Sequence, residues 1–191
     1  MHNLAIFASG NGSNAENIIK YFGGNQSIKV SCICTNRPDA YVIKRAQKFD
    51  IDVLVFSRKE FQEAGRVLEF LRSHEIEWII LSGFLWLVPE YLIKEYFGRI
   101  LNIHPALLPD YGGKGMYGDN VHKAVLENGD KFSGITIHVI DDEYDRGKII
   151  FQAKCPVLPG DTPESLAHRI HKLEYKFYPR IIEQAVNGEF K

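Results

Sequence analysis

Short apolar runs and amphipathic stretches alternate along the first hundred residues. Leu4-Ala5-Ile6-Phe7-Ala8 has no polar interruption, the mark of a strand covered on both faces. Ser9-Gly10-Asn11-Gly12-Ser13 breaks that run, and residues 14–22 read as a helix. A β-branched, apolar second strand is predicted over 28–34, followed by the turn Asn36-Arg37-Pro38-Asp39. Residues 41–49 predict a helix with Ile43, Ala46 and Phe49 on one face, and 51–56 a third strand. Phe61, Val67, Leu68 and Leu71 lie near helical spacing, which predicts a single helix over 60–74. A fourth strand follows at 78–81. Pro89 suits the first turn of a helix reaching residue 96, and a fifth strand is expected at 99–103. Such strand–helix alternation predicts a mostly parallel sheet with helices on both faces.

After His104 the pattern changes. Residues 105–119 are loop-rich, with Gly112, Gly113, Gly115 and Gly118. A short helix over 121–127 closes at Asn128-Gly129. Ile135, Ile137 and Val139 alternate with Thr136 and His138 in a strand over 133–140, and 148–157 predicts another. A long helix over 162–186 closes the chain. Asp161 or Thr162 is its N-cap, Pro163 its first position, and Leu166, Ile170, Leu173, Phe177 and Ile181 its expected buried stripe. No internal repeat or linker composition interrupts the chain, so residues 1–191 read as a single domain: an α/β half, a C-terminal strand extension and a closing helix.

Composition narrows the function classes. At 191 residues the chain can bury a sizeable core, and 45% apolar with 25% charged residues excludes disorder, collagen and coiled coil. Lys and Arg total 23 against 24 Asp and Glu, so no basic excess points to nucleic acid. The start lacks a signal-peptide pattern, and the run from Trp78 to Val88 falls far short of the ~20 residues of a membrane helix. Cys32, Cys34 and Cys155 are sparse and odd in number, which fits packing in a reducing compartment better than disulfides or zinc. A cytoplasmic protein is expected, with neither membrane nor nucleic acid as partner.

Three constellations can carry chemistry. The first, residues 9–14, follows the first strand and opens a helix, where backbone amides and the helix dipole favour an anion. With Ala15 the run also fits the G-x-G-x-x-A dinucleotide pattern. The second strand, however, ends on Cys34-Thr35-Asn36 without the acid that a ribose diol would need there. A phosphate monoester on the Ser13 and Asn14 amides is favoured over NAD; a tight turn with no ligand fits the same residues. The second constellation is Asn102-Ile103-His104-Pro105. Strand residues two apart project together, and ligands in such sheets sit at carboxyl ends of strands. Asn102 offers a neutral donor and His104 a proton carrier near neutrality, although a core histidine satisfied by a carbonyl is the plainer alternative. The third constellation, Asp141-Asp142-Glu143-Tyr144-Asp145, is a solvated turn or an acid partner for His104. His138, at the head of that loop, is a weaker candidate for the cation.

These motifs resemble the folate-dependent formyltransferases, most closely the glycinamide ribonucleotide branch. The likeness runs nearly the whole length. It rests on Gly10-Asn11-Gly12-Ser13-Asn14, Leu81-Ser82-Gly83-Phe84 and Asn102-Ile103-His104-Pro105-Ala106-Leu107-Leu108-Pro109. Gly134-Ile135-Thr136-Ile137-His138 and the Asp-x-Gly of Asp145 and Gly147 complete it. The resemblance implies a Rossmann-like formyltransferase fold that moves a formyl group from 10-formyltetrahydrofolate, as co-substrate, to the amine of 5-phosphoribosylglycinamide. It implies Asn102, His104 and Asp145 as catalytic residues, with no metal. The substrate phosphate falls to Gly12, Ser13 and Asn14, and the ribose to Glu174. Folate falls to Arg58, Leu85, Trp86, Leu87, Val88, Asn102, Asp141, Asp142, Glu143, Tyr144 and Asp145. Trp86 stands where some relatives carry Arg, and 112–121 is about four residues longer than in the shortest ones. A 10-formyltetrahydrofolate hydrolase, a methionyl-tRNA formyltransferase and a non-catalytic nucleotide-binding module are the rival readings. The first two usually carry an additional domain, for which residues 1–191 leave little room.

Overall fold

In the computed structural model, which describes residues 1–113, 115–140 and 147–190, the apolar runs pair into one seven-stranded sheet. The strands are β1 (His2–Phe7), β2 (Ile28–Thr35), β3 (Asp52–Val55), β4 (Ile76–Leu81), β5 (Ile100–His104), β6 (Phe132–Val139) and β7 (Ile149–Pro156). Their spatial order is β3-β2-β1-β4-β5-β6-β7. The first five run parallel, whereas β6 pairs antiparallel with β5 and β7 with β6. The order of connection reverses between β1 and β4, which opens a crevice beyond the carboxyl ends of these strands.

Helices cover both faces. They are α1 (Ser13–Phe22), α2 (Val42–Gln47), α3 (Arg58–Gln62), α4 (Arg66–Ser73), α5 (Glu90–Glu95), α6 (Asp119–Glu127) and α7 (Pro163–Val186). The strand period of two sorts the core. Leu4 and Ile6 turn toward a layer shared with α1, α2, α6 and α7; Ala5 and Phe7 turn toward one shared with α3, α4 and α5. Cys32 and Cys34 share the second layer and Cys155 lies in the first, all three free and buried.

Two expectations need correction. The helix read over 60–74 is two helices. Ser57 and Glu60 form a capping box that opens α3, but Glu63 is extended at φ −96°, ψ 135°, and Gly65 opens α4 anew. Phe61 and the Val67–Leu71 pair still pack into one layer, so hydrophobic spacing survives a break in the helix. The second correction concerns α7, capped as expected by Thr162 with Pro163 behind it. Its buried stripe includes Leu166, Ile170, Glu174, Tyr178, Ile181 and Ile182, while Leu173 and Phe177 are only partly buried. A carboxylate and a phenol therefore occupy positions that apolar periodicity assigns elsewhere. The Tyr178 hydroxyl sits between Leu81 O at 2.8 Å and Leu101 O at 3.2 Å, which ties α7 to the carboxyl end of β4 and to the first residues of β5. Glu174 is thereby held one turn along, over the crevice.

Candidate active site

The first wall of the crevice is the turn from β1 into α1. Gly12 caps α1 at φ 73°, a left-handed conformation, and a Cβ there would fall 2.4 Å from Val42 Cγ2. No side chain caps the helix, which leaves the first-turn amides of Ser13 and Asn14 without a capping acceptor among the described residues, the arrangement that suits an anion. Arg45 grips the turn, donating from Nε to Asn11 O at 2.8 Å and from Nη2 to Asn11 Oδ1 at 2.7 Å. Glu16, an acid in this same first turn, pairs with Lys20 and Arg45, which hold its carboxyl down at about 2. Its charge is thus compensated beside the first-turn amides of α1.

The second wall is the end of β5. Asn102 lies opposite His138 and His104 opposite Thr136 across the β5–β6 ladder. The Asn102 amide nitrogen is 3.0 Å from His138 Nε2, so one of its two hydrogens is engaged and the carboxamide plane is set. His104, 4% exposed, donates from Nε2 to Tyr111 O at 2.8 Å. The segment after it is clamped from behind: the Thr136 hydroxyl donates to Ala106 O at 2.7 Å and accepts from Leu108 N at 2.9 Å. His138 therefore meets Asn102, and its expected acid partners at 141–145 lie outside the described residues.

The third wall comes from α6 and α7. Glu174, 6% exposed, accepts from Asn14 Nδ2 at 2.8 Å. Burial pushes its carboxyl up to about 7, against the opposing effect of the Asn14 bond. Asn14 Oδ1 is buried without a hydrogen-bond partner among the described residues. His171 Nε2 stands 3.9 Å from Glu174 Oε2, and burial lowers the His171 pKa. His122 is 3% exposed, and its pKa is lowered first by burial and then by the neighbouring His171 charge.

The fourth wall is the 83–88 loop and α3. Ser9 Oγ accepts from Leu85 N at 3.0 Å and ties this loop to the first wall. Phe84 and Trp86 join Phe7, Phe56 and Phe61 in an aromatic group. Arg58 lies over the Trp86 ring at 5.7 Å. Leu85 and Leu87 remain 43% and 39% exposed, a half-apolar shelf for a flat ring.

One cavity of about 770 Å³ joins these walls. Gly12, Ser13, Asn14, Arg58, Leu85, Trp86, Leu87, Val88, Asn102, His104 and Glu174 all line it. Asp141, Asp142, Glu143, Tyr144 and Asp145 lie outside the described residues. Sequence reasoning missed His122, His171, Arg37 and Tyr117, which also line the cavity. Each comes from a helix or turn distant in sequence, and no spacing signal links them. Chemically, the cavity offers amide donors for an anion at one end and an apolar shelf at the other. A carboxamide and an imidazole stand among its lining.

The formyl transferase family model matches residues 2–182. A chloroplastic phosphoribosylglycinamide formyltransferase of Arabidopsis thaliana is 40% identical over 94% of this chain; the chain spans 63% of that protein's length. The phosphoribosylglycinamide formyltransferase of Bacillus subtilis is 38% identical, with 96% of this chain and 94% of the relative covered. Among solved structures, glycinamide ribonucleotide transformylase 1 from Symbiobacterium toebii superposes with a TM-score of 0.89 at 32% identity, covering 98% of this chain and 89% of that one.

Proposed function

Because the chain belongs to the formyl transferase family, we propose that it moves the formyl group of 10-formyltetrahydrofolate to the amino group of 5-phosphoribosylglycinamide, a step of purine biosynthesis. The observation that carries this reading is the continuity of one cavity from the α1 amides to Asn102 and His104. A phosphorylated amine bound by its phosphate at the first wall extends toward the β5 residues. The ribose hydroxyls meet Glu174 and the unpartnered Asn14 Oδ1 on the way. The pterin lies on the shelf formed by Leu85, Trp86, Leu87 and Val88, and Arg58 takes an anionic end of the folate.

The amine nitrogen attacks the formyl carbon and forms the new C–N bond, giving a tetrahedral intermediate; its collapse then breaks the bond to folate N10. The amine loses one proton and N10 gains one. Negative charge develops on the formyl oxygen, and the second hydrogen of the Asn102 amide and a protonated His104 are the donors for it. We assign Asp145 the role of stabilising the His104 imidazolium and ordering a water for proton transfer. Amine attack needs no covalent enzyme nucleophile. Free, buried cysteines support a cytoplasmic setting.

The test is folate turnover with and without the ribonucleotide. Turnover that requires the amine supports transfer. Amine-independent formate release supports hydrolysis, and no turnover supports a binding module. Titration with the ribonucleotide and its dephosphorylated form then checks the phosphate wall.

A further inference from the structure

Behind His104 lies a set of contacts that the proposed chemistry does not use. Tyr111 adopts φ 57°, a left-handed conformation that side-chain-bearing residues seldom hold without support. Its two ends are both fastened. The carbonyl oxygen accepts from His104 Nε2 at 2.8 Å, and the hydroxyl donates to Asp130 Oδ2 at 2.5 Å. Asp130 is itself fixed: its Oδ1 accepts from Asn128 Nδ2 at 2.9 Å, and its amide donates to Val125 O at 3.3 Å in α6. The contacts therefore run from the end of α6, through one phenol, to the imidazole ring.

We propose that Tyr111 and Asp130 form a strut that positions His104. The hydroxyl–carboxylate bond keeps residue 111 in its left-handed turn, and that turn aims its carbonyl at His104 Nε2. A carbonyl only accepts, so Nε2 carries a proton in the neutral and the charged ring alike. The ring then exchanges its titrating proton at Nδ1, and the carbonyl favours the imidazolium. Without the strut, residue 111 relaxes toward negative φ and the carbonyl leaves the ring. Burial and the Asp130 bond both raise the Tyr111 pKa, so the phenol stays a donor across the working pH range. Of the described groups, His122 faces His104 electrostatically from α6 and opposes its protonation; the carbonyl acts against that influence. Tyr111 and Asp130 touch no substrate in this scheme; both are positioning residues. The inference rests on the proposed role of His104 only for its kinetic consequence.

The experiment compares Tyr111→Phe, Asp130→Ala and the double variant, using ¹⁵N-histidine spectra and steady-state kinetics. Loss of one hydrogen bond is expected to lower kcat about three- to tenfold in each single variant, with KM for the ribonucleotide unchanged. The double variant should be no slower than the slower single one. The His104 ring signals should lose their fixed Nε2–H tautomer pattern in all three. Wild-type ring signals in both single variants overturn the strut, as does an additive double variant. Altered ring signals with undiminished kcat leave the strut standing and instead sink the assignment of His104 to the reaction.

Discussion

Gly12→Ala perturbs the anion wall without touching any charge. Two costs follow from the structure. An alanine at φ 73° sits in the left-handed region, at about 1–2 kcal/mol. Its Cβ would lie 2.4 Å from Val42 Cγ2 and 2.9 Å from Val42 Cα, so side chain and backbone must both give way. Overpacking of this kind adds about 1–3 kcal/mol. The combined loss of about 2–5 kcal/mol corresponds to a fall in Tm of about 4–20 °C for a chain of this size. The same displacement moves the Ser13 and Asn14 amides. Losing one charge-assisted hydrogen bond there weakens ribonucleotide affinity about tenfold or more. Gly10→Ala is the matched control, because a Cβ at Gly10 meets nothing within 4 Å. Calorimetric melting and isothermal titration of both variants are the assays. Adding Val42→Ala to Gly12→Ala removes only the Cγ2 contact and leaves Val42 Cβ and Cα in the way, so it should recover a minor part of the packing loss and none of the backbone part. If Gly12→Ala melts and binds like Gly10→Ala, the close approach of α1 and α2 does not shape the site and the reasoning fails.

His104→Ala and Asn102→Ala should each lower kcat on the order of 10²–10³ with little change in ribonucleotide affinity, since each removes one of the donors proposed for a charge formed only during reaction; single-turnover kinetics and titration separate the two, and retained turnover removes that residue from the mechanism. Glu174 rises from an ordinary 4.5 to about 7 in the folded chain. Below pH 4.5 both folded and unfolded forms are protonated; between 4.5 and 7 only the unfolded form loses the proton; stability therefore falls with rising pH by about 3 kcal/mol and levels off above 7. Glu174→Gln should flatten the plot of Tm against pH over that window and raise Tm at pH 8, while weakening ribonucleotide binding. An unchanged slope refutes the buried-acid account. Arg45→Met leaves Glu16 with Lys20 alone and frees Asn11; a two- to fivefold weaker ribonucleotide affinity at low salt is expected, about the worth of a partly exposed ion pair, shrinking as salt is added. A loss independent of salt would assign Arg45 to the shape of the turn alone.

How much of this was legible beforehand follows from which signals are local. The β1–α1 turn was readable because glycine spacing and helix opening lie within six residues. Asn102 and His104 were readable because a strand's period of two and the proline after it fix direction locally. Pro163 behind Thr162 marked the start of α7 in the same way. The break between α3 and α4 was not readable, since the apolar spacing of Phe61, Val67 and Leu71 is satisfied by two helices as well as by one. Glu174 was nominated only through family resemblance. On periodicity alone it belongs to neither a polar face nor an expected site, because a core position is apolar by default. His122 and His171 meet only where α6 packs on α7, and pairwise sequence patterns carry no trace of that meeting.

The anion wall poses an electrostatic difficulty that the fold resolves in two different ways. Two carboxylates stand close to the turn proposed to hold a phosphate: Glu16 in the first turn of α1 and Glu174 bonded to Asn14. Either one, fully charged and unpaired, would oppose a dianion at that helix terminus. Glu16 keeps its charge and is compensated by Lys20 and Arg45. Among the described residues Glu174 has no Lys or Arg partner, and His171, at 3.9 Å, has its own pKa lowered by burial; burial of Glu174 raises it until ionisation is incomplete near neutrality. Pairing suits Glu16 because Arg45, once recruited, also shapes the turn through Asn11. Burial suits Glu174 because a carboxyl near its own pKa both accepts from Asn14 and can donate or accept at a ribose hydroxyl. On the proposed function, the stability lost by placing an acid in the α7 stripe is tied to recognition of the ribose. This explains why an otherwise apolar helix face departs from its period where it crosses the cavity.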